Sequence, residues 1–584
     1  MSSTPPGRSR NGEVARLLEG IAGLLEVKGE QAFRVNAYRN AARRIEGLSE
    51  PIETVHTEGR LREIQGVGVA LEQKLGEYLT TGSLRYYEAL RAEFPPGLVE
   101  LLEVPGLGPR KARLVFEQLG VGSLVELEAA AREHRLRDVP GLGERTEQNL
   151  LTEIDRLKRR TTRHQVEATL TIAEELLDRL RACPAVRRAV YAGSLRRMQD
   201  TIGDVDLLVA AERPEEVERC VLELPQVRDV LRQGPARTSI LVRGGLQVDV
   251  RAVEPKSWGA ALQYFTGSKA HNIRLREIAI KRGWKLNEYG LFDERTGTLV
   301  AGAEEDDVYD ALGLQPIPPE LREDTGEIEL AAEGRLPRLL ELSDIRGDLH
   351  LHSNWTDGGS SVEEMARAAL ALGREYIALT DHSKSLGVTN GLTEQRIAEQ
   401  RLVIDEVNQA LAPFRVLQGT EMDIKREGRL DYDDETLASL EYVSASIHSG
   451  MKQTREVMTE RIARALRNRY VATLNHPHGR LIGSRAAYEV DMAAVIRVAV
   501  EHGVALEINS QPARMDLESI WARRGRDAGA KFAINTDAHA TGQLGLMRFG
   551  VATARRAWLG PEHVLNAWPL ADLLGHLAAR RRIP

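Results

Sequence analysis

Histidine marks where this 584-residue chain does its densest chemistry. Ten of the 14 histidines lie at or after His350, so ligation or acid–base work belongs to the C-terminal part. His350 and His352 stand two apart at the end of a strand-like run. Alternate residues of a strand share a face, so both imidazoles point one way. Asp357 follows on the next loop. Then one strand-like run after another ends on a ligand type: Asp381-His382, Glu421, His448, His476, and the pair Asp537 and His539. A single histidine at a strand end is ordinarily a packed or solvent-facing residue. Six strand ends carrying His, Asp or Glu have no packing explanation, whereas in an α/β barrel the C-terminal strand ends converge on one face. Mixed imidazole and carboxylate ligands suit Mn2+, Zn2+ or Fe2+ better than Mg2+ alone.

A second constellation uses carboxylates. Gly193-Ser194-Leu195-Arg196-Arg197 precedes Gly203-Asp204-Val205-Asp206, which places Asp204 and Asp206 on one strand face. Asp249, within Gln247-Val248-Asp249-Val250-Arg251, is a third candidate on another strand-like run. Crowded carboxylates ionise together more easily with a divalent cation between them. Three on neighbouring strands would hold two Mg2+ ions for in-line phosphoryl transfer. The Gly-Ser turn would cradle triphosphate oxygens, and Arg197 would neutralise charge on the leaving pyrophosphate. Asp-x-Asp alone reads as a solvated strand end. With Gly-Ser before it and a third aspartate after it, nucleotidyl transfer is the stronger reading.

Three turns of one shape occupy the first part of the chain: Gln65-Gly66-Val67-Gly68, Val104-Pro105-Gly106-Leu107-Gly108 and Val139-Pro140-Gly141-Leu142-Gly143. Paired glycines let the backbone approach a phosphate, and the helix start that follows offers unpaired N–H groups. One such turn is a plain helix connector. Three make a sequence-independent grip on a nucleic-acid backbone, with Gly66, Gly68, Gly106, Gly108, Gly141 and Gly143 as DNA contacts. The segments resemble helix-hairpin-helix motifs.

The elements that must position these groups follow from periodicity. The first 160 residues read as short amphipathic helices; Leu17, Ile21, Leu24 and Leu25 share a face opposite Glu19 and Glu26. From about Leu170 short β-rich runs enter: Ala189 to Tyr191, Asp206 to Val209, Ser239 to Val242 and Leu246 to Val250. The acidic, proline-bearing stretch from Glu304 to Glu329 suits a boundary or tether. Beyond it, Tyr376 to Leu379, Arg415 to Leu417, Tyr442 to Ile447, Tyr470 to Leu474, Val504 to Ile508 and Phe532 to Ile534 alternate with helical segments, which suggests a parallel α/β sheet or barrel. The net charge of −7 excludes a basic polyelectrolyte, so DNA binding must be local. No apolar run reaches the roughly 20 residues of a membrane helix, and the N-terminus lacks the apolar core of a secretory signal. Cys183 and Cys220 have no metal-like spacing and are expected to stay unpaired in a reducing cytoplasm.

Gly193-Ser194-x-Arg196-Arg197 with Gly203-Asp204-x-Asp206 resembles the palm signature of family X DNA polymerases. Tyr264-Phe265-Thr266-Gly267-Ser268 resembles their nucleotide-selecting segment and Asn287-Glu288-Tyr289 their thumb. The resemblance implies that Ser194, Gly203 and Arg197 contact the triphosphate and that Tyr264, Phe265 and Gly267 stack against the sugar. It also implies that Asn272 approaches the minor groove and that Asp204, Asp206 and Asp249 carry Mg2+ or Mn2+. Lys269 stands where DNA polymerase beta has an acidic residue, and Gln247 where it has an arginine. Asn36-Ala37-Tyr38-Arg39-x-Ala41-Ala42 is similar to that polymerase's lyase domain, with Lys74 at the Schiff-base position and Ala70 in place of another lysine. Only 12 of the 79 basic residues are lysines, so a lysine at this position is informative.

Asp348-Leu349-His350-Leu351-His352-Ser353, Thr380-Asp381-His382, Asn475-His476-Pro477-His478 and Asp537-x-His539 resemble the polymerase and histidinol phosphatase (PHP) superfamily. That resemblance implies a site for up to three ions, Mn2+ or Zn2+ with Fe2+ as a further candidate. Its ligands would be His350, His352, Asp357, His382, Glu421, His448, His476, Asp537 and His539. The joint arrangement is that of bacterial PolX proteins. The expected organisation is a helical lyase-like domain at 1–90, helix-hairpin-helix fingers at 91–165, an α+β nucleotidyltransferase palm at 166–255 and a thumb at 256–325. A linker at 326–344 and an α/β PHP domain, a distorted barrel, at 345–584 complete it. The expected activity is gap-filling polymerisation in base excision repair, with a 3′-5′ exonuclease and abasic-site endonuclease in the PHP domain. Gapped or nicked duplex DNA and deoxynucleoside triphosphates are its partners, and the chain a cytoplasmic monomer. The rival classes are a nuclease whose polymerase core only positions DNA, and a DNA-binding scaffold with both centres idle.

Overall fold

The computed structural model describes residues 11–46, 52–64, 66–81, 84–94, 101, 104, 107–160 and 163–582. The chain divides into two compact units between residues 162 and 163.

The first unit is helical. Helix Asn11–Lys28 buries Ile21, Leu24 and Leu25 and leaves Glu19 exposed, as its periodicity requires. Each glycine turn sits at a helix start: Gly68 before Val69–Thr81, Gly108 before Pro109–Leu119 and Gly143 before Glu144–Arg160. The apolar residue between the glycines, Val67, Leu107 or Leu142, is buried and anchors the turn. Gly66 and Gly141 adopt φ of 93° and 86°, where a side chain would be strained. A β-carbon on Gly66, Gly68, Gly108, Gly141 or Gly143 would meet nothing within 4 Å, so these backbones stand open to a partner. Gly106 lies outside the described residues.

The second unit begins with a five-stranded sheet in the order Arg188–Tyr191, Val205–Ala210, Gln247–Val253, Arg237–Leu241, Asp229–Arg232. Its strands Val205–Ala210 and Gln247–Val253 are parallel, and the other pairings are antiparallel. Leu207, Val209, Val248 and Val250 point into a core shared with helix Val166–Arg181. Helices Trp258–Thr266 and Lys269–Lys281 then lead to a three-stranded antiparallel sheet, Trp284–Asn287, Gly290–Asp293 and Leu299–Ala301.

Two sequence-based expectations need correction here. The stretch from Glu304 to Glu329 is not a loose tether. Its helix Glu305–Ala311 buries Val308 and Tyr309, and Glu327 is fully buried, 2.8 Å from His271 Nδ1. Its acids find cationic partners from distant segments, which composition does not reveal. Cys183 and Cys220 are not free: they form a disulfide across 37 residues with Cα atoms 6.4 Å apart. The flanking helices Val166–Arg181 and Pro214–Leu222 pack into the same core, and that packing rather than sequence spacing brings the sulfurs together.

Seven parallel strands follow in sequence order: Gly347–Leu351, Tyr376–Leu379, Arg415–Asp423, Tyr442–Ser446, Val471–Leu474, Ala505–Asn509 and Phe532–Asn535. Leu351 bridges to Ala538, and Leu349 N–H donates to Asn535 Oδ1 at 3.1 Å, so the last strand returns to the first and nearly closes a barrel. The connecting helices obey local rules. Ser361 caps Val362–Ala371 in a capping box with Glu364, and Val362, Met365, Ala366 and Ala369 form its buried stripe. Met515 and Phe549, from barrel loops and helices, are fully buried in the core of the five-stranded sheet. Among the described residues no helix is long and apolar enough to cross a membrane.

Candidate functional site

The barrel gathers all nine expected ligand residues into one cluster at the C-terminal ends of its strands; six of them are buried, His448 and His539 are half-buried, and Asp357 is exposed. His350 Nε2 lies 3.5 Å from both Glu421 Oε1 and Asp537 Oδ1, and His352 Nε2 lies 3.3 Å from Asp537 Oδ1. His382 reaches Asp357 Oδ2 at 3.3 Å and Glu421 Oε2 at 3.0 Å. His448 and His476 approach Glu421 Oε1 at 3.2 and 2.8 Å, and His539 approaches Asp357 Oδ2 at 3.5 Å. Three sets have ligand atoms all within 4.8 Å of one another: His352, Asp357, His382 and His539; His350, His352 and Asp537; His382, Glu421 and His448.

The residues fit divalent cations on two counts. His352 Nδ1, His448 Nδ1 and His476 Nδ1 are buried without a hydrogen-bond partner, a cost of about 1–3 kcal/mol each that a cation would remove. His476 and Asp537 also hold left-handed backbone at φ of 29° and 51°, strain that clusters at working sites. Burial, then the neighbouring His539 and His382, push the His352 ring down to about 3, so it stays neutral and able to ligate. Burial opposes ionisation of Glu421, but His448, His350 and His382 outweigh it and hold the carboxylate well below its ordinary range.

Two functional groups here, Glu507 and Arg514, escaped the sequence reading, and Asp381 takes a different role from the ligand type read there. Glu507, fully buried in the middle of strand Ala505–Asn509, sits 2.7 Å from His350 Nδ1 and accepts from His476 N–H at 2.7 Å. It lies on the one barrel strand to which no acid or histidine had been assigned, and being mid-strand it fell outside the strand-end rule. Asp381, adjacent to His382, accepts from Ser353 N–H, Ser353 Oγ and Gln400 Nε2 at 2.9, 2.6 and 2.7 Å and braces the loop instead of facing the cluster. Arg514 Nε stands 3.5 Å from Asp537 Oδ2 and brings a cation to the cluster.

The palm carboxylates meet by strand register. Asp206 pairs directly across from Asp249 on the two parallel strands, and Asp204, just before the first of them, lines the same cleft. Burial, then Asp204, push the Asp206 carboxyl up to about 6; Asp249 adds to this and Arg251 opposes it. Arginines stand between the acids: Arg237 donates to Asp249 Oδ2 at 2.6 Å, and Arg251 lies 3.5 Å from Asp206 Oδ1. The tight ligand sets described above are accordingly confined to the barrel among the described residues. A raised carboxyl among like charges is the environment a divalent cation relieves, so this trio also fits a metal.

Gly193 turns at φ of 61°, and a β-carbon there would lie 2.6 Å from Asp206 Oδ2, so only glycine lets the Gly-Ser turn close over the aspartate. An open cleft of about 580 Å³ above the trio is lined by Gly193, Ser194, Arg197, Tyr264, Phe265, Gly267 and Asn272 with the three aspartates. Gly203 does not line it. Asn272 donates to Tyr264 O and accepts from Gln263 Nε2, each at 2.7 Å, and so ties its helix to the aromatic pair. Arg197 Nε donates to Glu323 Oε1 at 2.7 Å.

In the first unit, Lys74 Nζ donates to Tyr38 Oη and lies 3.6 Å above the centre of the Tyr86 ring. Burial, then the Arg34 cation, lower its pKa below that of an ordinary lysine. An amine so placed spends more of its time unprotonated, as nucleophilic catalysis requires.

Comparison with known proteins agrees with this layout. Family models match as a helix-hairpin-helix domain at 9–84, a SAM-like helix-hairpin-helix tandem at 98–156, a DNA polymerase beta thumb at 261–323 and a PHP domain at 348–511. The chain is 38% identical over 563 residues to the DNA polymerase/3′-5′ exonuclease PolX of Bacillus subtilis (strain 168), covering 96% of this chain and 98% of that protein. This chain belongs to the PolX family. Relatives named as probable phosphatases match a much shorter stretch of this PolX-family chain. One from Edwardsiella ictaluri is 28% identical over 232 residues, 38% of this chain and 90% of its own length. One from Acetivibrio thermocellus is 30% identical over 207 residues, 34% of this chain and 81% of its own. In PolX terms the palm cleft and the barrel cluster are two separate centres on one polypeptide.

Proposed function

We propose that this chain is a DNA polymerase with a 3′-5′ exonuclease: it extends a primer across short gaps in duplex DNA and hydrolyses phosphodiesters at 3′ ends in its barrel. The polymerase reading is carried by the register of Asp206 opposite Asp249, with Asp204 lining the same cleft, which is floored by a Gly-Ser turn. Asp204, Asp206 and Asp249 would hold Mg2+ or Mn2+, which neutralises charge developing on the α-phosphate and favours the ionised 3′-hydroxyl. Ser194 and Arg197 take the triphosphate oxygens, Tyr264 and Phe265 pack the sugar, and Asn272 keeps that aromatic pair in place. Gly66, Gly68, Gly106, Gly108, Gly141 and Gly143 would grip the duplex through its phosphates.

The nine barrel residues would hold up to three ions, Mn2+ or Zn2+ with Fe2+ as a further candidate, which lower the pKa of the attacking water. Glu507 orients His350, and Arg514 offers a cation to the phosphodiester. Abasic-site cleavage belongs to the same reading, since it too is phosphodiester hydrolysis. Gap filling with end cleaning is the work of base excision repair, carried out by a monomer in the cytoplasm. Palm (166–255), thumb (256–325) and PHP domain (345–584) are the working divisions of the second unit.

One labelled gapped duplex with Mn2+, incubated with and without deoxynucleotides, tests both halves. Incorporation with nucleotides and 3′-end degradation without them are expected. Degradation without incorporation would make the chain a nuclease whose palm only positions DNA. A second reading, 5′-deoxyribose phosphate lyase action through Lys74, is favoured by the desolvated amine between Tyr38 and Tyr86.

A further inference from the structure

Arg196 and Arg197 are neighbours with different commitments. Arg196 makes a two-pronged pair with Glu305, both contacts 2.8 Å, and both side chains are largely buried. Arg197 reaches the nucleotide cleft, where Nη1 donates to Thr266 O at 2.5 Å and Nε donates to Glu323 Oε1 at 2.7 Å. The same Glu323 oxygen accepts from Gln199 Nε2 at 2.6 Å. Glu323 stays one-third exposed, while Arg197 is 14% exposed.

The backbone on both sides of Glu323 is tied down. Ser268 N–H donates to Arg322 O at 2.9 Å, and Arg322 itself is buried against Glu305 at 2.6 Å. Arg555 donates to Glu320 at 2.7 Å, and Arg523 donates to Thr325 Oγ1 and O at 2.9 and 3.0 Å. The segment is therefore anchored to the Gly267-Ser268 turn and to the barrel, and one carboxylate is delivered to Arg197, which lines the cleft.

A guanidinium offers the same donor fork to a carboxylate and to a phosphate. We propose that Glu323 is an affinity-setting residue of the polymerase site: it occupies Arg197 in the nucleotide-free protein, and an incoming triphosphate must displace it. This rests on the reading of Arg197 as a triphosphate contact. The displaced carboxylate keeps the Gln199 donor and its one-third exposure to solvent, so the exchange does not strand a buried charge. Its remaining negative charge lies beside the bound phosphates and weakens their hold.

The test measures equilibrium binding of dATP with Mg2+ to the full chain on a gapped duplex whose primer ends in a dideoxynucleotide. Single-turnover incorporation on an extendable primer accompanies it. Glu323→Gln, close in shape and still able to accept from Arg197, is expected to tighten dATP binding about 3- to 10-fold while the maximal rate changes by less than about twofold. Glu323→Ala should move binding the same way. Unchanged or weaker binding in both variants would overturn the proposal and make Glu323 a residue that orients Arg197 for the phosphate. Arg197→Ala checks the underlying reading separately: about tenfold weaker binding is expected. If that variant binds dATP as the unmutated chain does, Arg197 is not a triphosphate contact. If it weakens binding but the Glu323 variants do not tighten it, only the present inference fails.

Discussion

His350 Nδ1 lies 2.7 Å from Glu507 Oε1, and the other oxygen of that carboxylate accepts from the backbone N–H of His476 at 2.7 Å. Asn509 and Asn535 donate to the same group at 3.2 and 3.0 Å. One buried acid thus fixes the ring of one ligand and the backbone of another, and it leaves His350 Nε2 facing Glu421 and Asp537. Glu507→Gln should weaken divalent-metal binding about 10- to 100-fold, as loss of a ligand-orienting partner does. Calorimetric titration of metal-free protein with Mn2+ reads this directly; an unaltered affinity would leave Glu507 a packing residue.

The two centres should fail independently. His350→Ala combined with His352→Ala is expected to abolish Mn2+-dependent degradation of 3′ ends and to spare gap filling. Asp204→Ala is expected to do the reverse, with DNA affinity little changed because the glycine turns are untouched. Both activities are followed on one labelled gapped duplex. Nuclease action that survives loss of both histidines would place it at another site, and a primer extended at the unmutated rate by Asp204→Ala would remove the palm acids from catalysis.

Lys74 gives a pH signature. Its pKa is lowered by burial and then by Arg34, so the reactive free amine should appear at lower pH than for an ordinary lysine. Borohydride trapping on a 5′-deoxyribose phosphate end should therefore rise with pH and level off below about 10.4, the ordinary lysine value. Lys74→Ala should lose the adduct and Lys28→Ala should keep it. No adduct from the unmutated chain would reduce Lys74 to a DNA contact.

Asp200, on the turn before Asp204, joins palm to barrel. Arg480 donates to it at 2.7 Å and Arg556 also donates to it. Burial works against its ionisation, yet Arg556 and Arg480 hold the carboxyl below its ordinary value. A depressed carboxylate contributes stability above the unfolded pKa of about 3.9, and that stability is lost as pH falls through the folded value. Asp200→Ala, which leaves two largely buried arginines without their partner, should cost about 3 kcal/mol at pH 7. The difference from the unmutated chain should shrink as pH drops below about 4. Denaturant unfolding of the second unit measures both.

Local pattern made much of this protein legible from its sequence. Strand period placed Asp204 beside Asp206 and His350 beside His352, because covalent geometry alone sends alternate side chains to one face. The same logic drew the barrel strands: Tyr376–Leu379 falls where its apolar run predicted, and Phe532–Asn535 within one residue. What the pattern could not supply were the pairings between distant charges. Glu507 within a strand reads like a solvent-facing acid until closure of the barrel turns it onto His350. Arg197 and Glu323 are 126 residues apart, and Asp200 and Arg480 are 280 apart. The disulfide and the buried Glu327 belong to the same class. Which cation meets which carboxylate depends on how helices and sheets pack, a property of the folded chain that no local period encodes. Residue types and spacing therefore determined the two chemistries, and tertiary packing decided which groups hold, brace or occupy the residues that carry them.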